Sequence, residues 1–414
     1  MKFGLMYYKR TDNIGDDFQT YAARRFLKHV DYYIDREAMN AFIPDQKEYV
    51  TLLMNGWYMN NKLTWPPSPY IYPHFVSMHF TDAGLFNVGD KYIEGKVSNY
   101  LNKYEKIGCR DTETKKRLEK YGVKGCYFTG CLTLTLNKFE DVKKQDYICL
   151  VDVKDELVEK VRQSTKKEIK ILTQNNYNLV NMSIEERMQE TERVLKTLQG
   201  ASLVITRRLH AMLPSIALET PVILLRQDGY ENEKDRFQDF IKFPAMTYTN
   251  KEFLEIDISE IINNPKPNSG EHLAIRENLI KSCEEFVKKC EEINLDTEKL
   301  PDIEMYKKEK LEEAEWYDRV GAELVENEKQ KQLEYVENWD EREKYWLKQK
   351  CDYEENLTNL ENCIKNIEEQ NKKEIEKITN ENKELKNTLS QIYNSKSWKM
   401  LEKMRKIKKI VRLK

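Results

Sequence analysis

The chain has 414 residues, of which 40% are hydrophobic and 34% are charged. This length predicts roughly two to three domains, and the high charged fraction indicates that part of the chain lies outside a globular core. No apolar run approaches the roughly 20 residues of a membrane span, which argues against an integral membrane protein. The first residues lack the features of a signal peptide, so we expect a cytoplasmic protein.

The eight cysteines and five histidines bear on redox state and metal binding. No two cysteines form a Cys-x-x-Cys pair, and no spacing of cysteine and histidine is that of a zinc site. We therefore expect reduced thiols, as in cytosolic proteins, together with no metal and no cofactor.

From residue 1 to about 245, short apolar runs alternate with helix-like segments. Strands are predicted at 2–8, 50–54, 75–78, 106–109, 147–151, 169–172, 203–206 and 222–225. Helices are predicted over 18–30, from an Asp111 N-cap to about 122, from a capping box at Ser183 to 198, and over 210–219. This alternation predicts an α/β fold with parallel sheets, in two Rossmann-like domains that face a cleft.

The sequence changes character after two prolines at 265 and 267. One amphipathic helix is predicted over 275–293, and residues 307–387 are dominated by Glu, Lys, Asn and Gln. A seam of residues spaced by three and four predicts a coiled coil that makes the protein a homo-oligomer, with polar Asn371 and Asn382 fixing its register. A single solvent-exposed helix is the alternative. The seam consists of Leu357, Leu360, Ile364, Ile367, Asn371, Ile375, Ile378, Asn382, Leu385, Leu389 and Ile392.

The C-terminal end is strongly basic, with nine Lys or Arg and one acid in residues 396–414. Apolar residues recur there at helical spacing beside Trp398, which is typical of a helix lying on anionic lipid. Nucleic-acid binding is the competing interpretation, and the apolar stripe argues against it.

The sequence predicts five segments in all. They are an N-terminal Rossmann-like domain at 1–140, a second, donor-binding Rossmann-like domain at 141–265, a helical connector at 271–300, a long helical or coiled-coil region at 301–394, and a basic amphipathic tail at 395–414.

Arg208 and His210 directly follow the strand predicted at 203–206 and open a helix. In open α/β folds, ligands bind at the carboxyl ends of strands, where helix N-termini offer free N–H groups. An Arg, a His and a helix N-terminus suit an anion that carries phosphate and carboxylate. The alternative is that Arg208 pairs with an acid and that His210 is a core histidine.

A turn of Asn13, Gly15 and Asp16 occupies the same position after the first strand. Gly15 allows a tight backbone, and either polar side chain can cap the following helix. A single glycine is not a dinucleotide-binding fingerprint, so no nucleotide cofactor is predicted. Structural capping is the alternative to ligand binding.

Three further residues occupy comparable positions. Arg110 follows the strand at 106–109 and binds either a ligand or an adjacent acid. His79 ends the run at 75–78, where a structural histidine is the alternative. Lys234 follows the last predicted strand, where a solvated surface lysine is the default.

With these residues assembled, the chain resembles the polysaccharide pyruvyl transferase family. The resemblance covers roughly residues 1–245 and is most specific over 204–212, which includes Arg208-Leu209-His210. It is also carried by the segments 13–16, 107–111, 121–123, 130–134 and 219–223.

The resemblance implies a GT-B-like pair of Rossmann-like domains and a metal-independent enzyme. Such an enzyme transfers the enolpyruvyl group of phosphoenolpyruvate to a sugar of a cell-surface polysaccharide or lipid-linked glycan precursor, usually forming a pyruvate ketal. By motif match, Arg208, Leu209 and His210 bind the donor, with Arg208 and His210 catalytic. The other expected donor-binding residues are Arg110, Asn13, Gly15, Asp16 and Lys234.

His79 is expected on the acceptor side, and the basic tail is expected to hold the enzyme at the inner face of the membrane. Two alternatives stay open. One is a GT-B glycosyltransferase that uses a nucleotide sugar. The other is an inactive domain retained as a coiled-coil scaffold in a glycan assembly complex.

Overall fold

The structure is a computed structural model that describes residues 1–58, 65–80, 93–175, 178–228, 237–337 and 339–411. The chain divides into two compact units, Met1–Glu313 and Ala314–Lys414. The first unit contains two parallel β-sheets, and the second is helical. The expected α/β class with parallel sheets and a helical C-terminal region is confirmed.

The first sheet contains six strands in the spatial order β2-β1-β3-β4-β5-β6, all parallel to their neighbours. Strand order reverses between β1 and β3, and ligands of open α/β sheets bind at such a switch point. The strands are β1 (Lys2–Tyr7), β2 (Tyr32–Asp35), β3 (Val50–Tyr58), β4 (Ile71–Phe80), β5 (Ile107–Cys109) and β6 (Cys126–Phe128).

The second sheet contains five parallel strands in the order β11-β10-β9-β7-β8, so its switch point lies between β7 and β9. Its central strands consist of buried and almost entirely apolar residues, as expected for strands covered on both faces. The strands are β7 (Tyr147–Val151), β8 (Glu168–Leu172), β9 (Leu203–Thr206), β10 (Val222–Arg226) and β11 (Met246–Thr249).

Helices connect the strands of the first unit and cover the sheets. They are α1 (Ile14–Arg24), α2 (Ser98–Leu101), α3 (Thr112–Lys120), α4 (Asp155–Ser164), α5 (Ile184–Gly200), α6 (Leu209–Ala217), α7 (Asn250–Glu255), α8 (Ser259–Asn263) and α9 (Leu273–Glu292). The expected caps are confirmed, because Asp111 accepts a hydrogen bond from the Thr114 N–H and Ser183 forms a capping box with Glu186.

The helix predicted over 18–30 is wrong at both ends, because α1 covers Ile14–Arg24. It begins earlier since Asn13 caps it and Ile14 is buried. It ends earlier since Asp31 must return to the start of β1, where its backbone and side chain bond the backbone of Phe3. The sequence analysis also missed β2, β6 and β11, which are short strands at sheet edges.

The two sheets share one hydrophobic core. Ile14 and Phe18 of α1 belong to the same buried cluster as Val204 and Leu209 from the second sheet and its helix. Beside this cluster, Asp17 of α1 receives three hydrogen bonds of 2.9–3.1 Å from the guanidinium of Arg187 on α5. The two halves of the first unit are therefore joined by apolar packing and a buried ion pair.

The helical region contains α10 (Ile303–Glu337), α11 (Trp339–Asn394) and α12 (Lys396–Val411). The Leu and Ile side chains of the predicted seam lie on α11 and are 45–64% exposed. Among the helices that the structure describes, none is long and apolar enough to cross a membrane.

Candidate active site

Asp111 organises the edge of the first sheet at the carboxyl ends of β4 and β5. Its Oδ2 lies 2.7 Å from Nδ1 of His79 and 3.2 Å from Nε of Arg110. Its Oδ1 accepts the Thr114 N–H at the start of α3. One fully buried carboxylate therefore positions both the histidine and the arginine that the sequence singled out.

Burial acts to raise the pKa of Asp111, but the hydrogen bond and charge of His79 and the charge of Arg110 outweigh it. The net result is a pKa below the ordinary range of a carboxyl, so Asp111 stays ionised. The carboxylate faces Nδ1 of His79, which directs Nε2 of the ring away from Asp111.

A bulge in β4 aims His79. The register between β3 and β4 shifts next to Ser77, whose φ of 54° is in the left-handed region. Bulges of this kind re-aim side chains beside active sites.

Arg110 is 1% exposed, and its Nη2 has no hydrogen-bond partner among the described residues. A buried unpaired donor is costly, and few occur in folded proteins. Because a guanidinium binds carboxylate and phosphate through a fork of N–H groups, this arrangement is suited to an anionic ligand.

In the second sheet, Asp152 and Arg208 follow the two strands that flank the switch point. Nε of Arg208 donates a 2.7 Å hydrogen bond to Oδ2 of Asp152. The same carboxylate accepts hydrogen bonds from the Thr173 hydroxyl and the Gln174 N–H. Asp152 has a φ of 53°, and strained backbone of this kind clusters at functional sites.

Arg208 is the N-cap residue of α6 and makes no side-chain capping bond there. The N-terminus of α6, which is the positive end of its helix dipole, therefore lies at the same sheet edge as Arg208. His210 lies in the first turn of α6 and is partly exposed. Leu209 is 2% exposed and packs in the shared core, which leaves only its backbone available to a donor.

The turn after β1 is held by hydrogen bonds between its own residues. The Asn13 side chain accepts the Gly15 N–H, and Thr11 donates to Asp16. Burial raises the pKa of Asp16, although Arg36 and the Thr11 hydroxyl oppose this. Capping is the geometry that the structure shows for Asn13, and a carboxyl at position 16 is a poor ligand for an anion.

The edges of the two sheets meet around Gly15 and His210. The Ile14 N–H donates a 2.9 Å bond to the carbonyl of Gln174, and a Cβ at Gly15 would lie 3.1 Å from Cβ of His210. Sγ of Cys131 lies 3.9 Å from Nε2 of His210. Burial raises the pKa of this thiol, with the charge of Arg110 as the main opposing effect. The charge of Arg110 therefore acts on the Cys131 thiol, which also contacts His210.

The structure thus brings together His79 and Arg110 at one edge and Arg208 and His210 at the facing one. The Lys234 prediction lies outside the described residues. Sequence reasoning missed Asp152 and the contact of Cys131 with His210. A carboxylate directly after the strand at 147–151 was the available signal for Asp152. Among the described residues, no group of three or more His, Cys, Asp or Glu is arranged to hold a metal ion.

A buried arginine, Arg110, and a half-buried arginine, Arg208, therefore lie at the carboxyl edges of the two parallel sheets of an α/β fold, each with a histidine nearby. The model of one family, described as polysaccharide pyruvyl transferase, matches residues 13–229. That range is more than half of the chain and includes Arg110, Arg208 and His210. The chain therefore belongs to the polysaccharide pyruvyl transferase family and is a transferase of polysaccharide biosynthesis.

No curated protein is significantly similar to the sequence. Among solved structures, an uncharacterized protein from Klebsiella pneumoniae is 12% identical over 58% of this chain and 88% of that chain, with a TM-score of 0.37. The UDP-GlcNAc 2-epimerase of Methanocaldococcus jannaschii is 13% identical over 71% and 100%, with a TM-score of 0.35. Staphylococcus aureus MnaA, solved with UDP, is 11% identical over 70% and 96%, with a TM-score of 0.36. These similarities identify neither donor nor acceptor.

Replacing Gly15 by Ala tests the close approach of the two edges. The new Cβ would lie 3.0–3.1 Å from Asn13, Gln174 and His210. We expect the free energy of unfolding to fall by about 1–3 kcal/mol, as for overpacked cores. The measurement is urea denaturation. Gly95→Ala is the matched control because a Cβ there meets nothing within 4 Å. Equal stability of both variants would contradict the close approach.

Proposed function

We propose that this transferase moves the enolpyruvyl group of phosphoenolpyruvate onto a sugar of a cell-surface polysaccharide or lipid-linked glycan precursor, forming a pyruvate ketal. In this proposal the two sheets form a GT-B-like pair that binds the donor between their carboxyl edges. The observation that carries it is the buried guanidinium of Arg110, whose Nη2 is unpaired among the described residues.

Phosphoenolpyruvate carries a phosphate and a carboxylate, and the site offers two arginines. Arg110 is fixed by Asp111 and Arg208 by Asp152, so each guanidinium is oriented through its Nε and presents other N–H groups to an anion. The N-terminus of α6 adds its dipole beside Arg208. Holding the donor in this way costs little reorganisation, which is how enzymes stabilise developing charge.

The chemistry requires a proton donor and a nucleophile. Protonation of C3 develops positive charge at C2, and one sugar hydroxyl adds there and releases its proton. The C2–O bond to phosphate then breaks, and a second hydroxyl adds to C2 and releases its proton, which completes the ketal. One of the two released protons restores the acid that protonated C3, and the other leaves with inorganic phosphate. In this scheme His210 is the acid, and His79, held by Asp111, orients the acceptor hydroxyl.

Titration of phosphoenolpyruvate by calorimetry tests the donor. We expect saturable binding to the wild type, weakened roughly 10- to 100-fold in Arg208→Ala through loss of a hydrogen bond to a charged group. Arg207→Ala is the matched control, because Arg207 is the adjacent, exposed arginine. Absence of binding to the folded wild type, or equal affinity in both variants, would overturn the proposal. Binding of a nucleotide sugar instead would favour the glycosyltransferase.

Turnover of histidine variants tests the assigned roles. Phosphate release from phosphoenolpyruvate is measured with a panel of lipid-linked oligosaccharides as acceptors. His210→Asn is expected to lower kcat by roughly 10²–10⁴-fold while donor affinity is kept. His79→Ala is expected to raise the KM of the acceptor. Unchanged activity in either variant would remove that histidine from the mechanism.

We further propose that the enzyme works at the inner membrane face through its basic tail. Met400, Leu401 and Met404 of α12 are 53–66% exposed. Lysines lie among them along the helix, and Trp398 is partly buried near its start. Exposed apolar residues beside lysines support binding to anionic lipid, where lipid-linked acceptors reside.

Sedimentation with phosphatidylglycerol vesicles tests the tail. Replacement of Lys396, Lys399 and Lys403 by Gln should weaken binding roughly 100-fold, since each lysine contributes about 1 kcal/mol near an anionic surface. The matched control replaces Lys372, Lys373 and Lys377 of α11, which changes the charge equally. Equal effects of the two triple variants, or binding that is as tight to phosphatidylcholine, would refute a specific role of the tail.

Self-association through the seam of α11 is also part of the proposal. Its support is that these Leu and Ile side chains are exposed in the single chain.

A further inference from the structure

The apolar side of α11 is a continuous surface on one uninterrupted helix, Trp339–Asn394. Every Leu and Ile between residues 357 and 392 belongs to the seam, and each is at least 45% exposed. Exposed apolar surface of this extent marks an interaction site. The remaining residues of this stretch are polar apart from Cys363, so the surface is a stripe along one side.

The stripe follows a heptad pattern with one interruption. Positions a and d alternate at steps of three and four, and an extra step of four separates Asn371 from Ile375. Such an insertion locally unwinds a coiled coil without ending it. Positions a are Leu357, Ile364, Asn371, Ile375, Asn382 and Leu389, and positions d are Leu360, Ile367, Ile378, Leu385 and Ile392.

The two asparagines decide orientation and register. In a parallel pair of identical helices in register, each a residue faces its own copy, so the amides of Asn371 and Asn382 bond their counterparts. In an antiparallel pair, a residues face d residues, and every d residue here is Leu or Ile. Each Asn would then be buried without a hydrogen-bond partner, which is unfavourable. An Asn at position a also specifies oligomer state.

Charge supports the same arrangement. Glu381 lies at position g and Lys386 at position e of the next heptad, the pair that meets between parallel helices. Within one helix these residues are five positions apart, which is outside the three- and four-residue spacings that bring side chains together. Their attraction therefore arises only between copies.

We propose that α11 forms a parallel, in-register coiled coil with a second copy of this chain. The inference rests on the self-association proposed above and adds its orientation and register. Both copies then begin the coil at the same end and present their basic tails at the other.

Analytical ultracentrifugation measures the oligomeric state of the full-length chain. A charge-reversal cycle then tests the pairing of Glu381 with Lys386 between the two copies. We expect a dimer. The affinity of dimerisation should fall a few-fold in Glu381→Lys or Lys386→Glu alone and should be restored when the two substitutions are combined. Cysteine cross-linking follows, in a background with Cys351→Ser and Cys363→Ser. Leu360→Cys at position d should give a disulfide-linked dimer, and Asn362→Cys at the outward position f is the matched control.

A monomer at micromolar concentration would overturn self-association and this inference together. A dimer or larger oligomer that shows no restoration in the double variant, and no preference for Leu360→Cys over Asn362→Cys, would overturn the parallel arrangement alone. The donor titration is unaffected by either result, so failure of the catalytic proposal is recognised separately.

Discussion

The buried ion pair between Asp17 and Arg187 is the constraint on which the geometry of the first unit depends. Both side chains are almost completely removed from solvent, and the guanidinium spans both carboxylate oxygens. Removing either partner alone would leave a buried charge without compensation, which typically costs about 3–5 kcal/mol. The pair fixes α1 against α5, and this sets where the first turn of α1 lies relative to His210. Apolar packing holds the two sheets together, and the ion pair fixes the orientation of α1 against α5.

Each arginine of the site is held by a carboxylate that follows a strand. Asp111 and Asp152 occupy comparable positions in the two sheets, and each receives an arginine Nε together with a backbone N–H. A guanidinium bound on one side is oriented before any ligand arrives, so less side-chain entropy is lost on binding. The pairing that the sequence analysis offered as the alternative to ligand binding is therefore compatible with ligand binding.

The sequence predicted the central strands well because their signal is local. Buried parallel strands such as Tyr147–Val151 and Leu203–Thr206 are nearly continuous aliphatic runs. The edge strands β2, β6 and β11 contain polar and half-buried residues, and their partners supply the order that their own sequence does not. Arg208 and Arg110 were found by their position after strands. Asp152 also directly follows a strand, but its pairing with Arg208 could not be predicted, because the two residues are 56 positions apart and only the fold brings them together.

The length of α11 has a mechanical consequence. Its 56 residues as one helix separate the two ends by about 84 Å. A flexible linker with the same number of residues would have a mean end-to-end distance of roughly 40 Å and would sample many shorter ones. The helix therefore acts as a spacer of defined reach rather than a tether. Within α11 the residues at the two ends are held at this separation, and pairing with a second helix would stiffen it further.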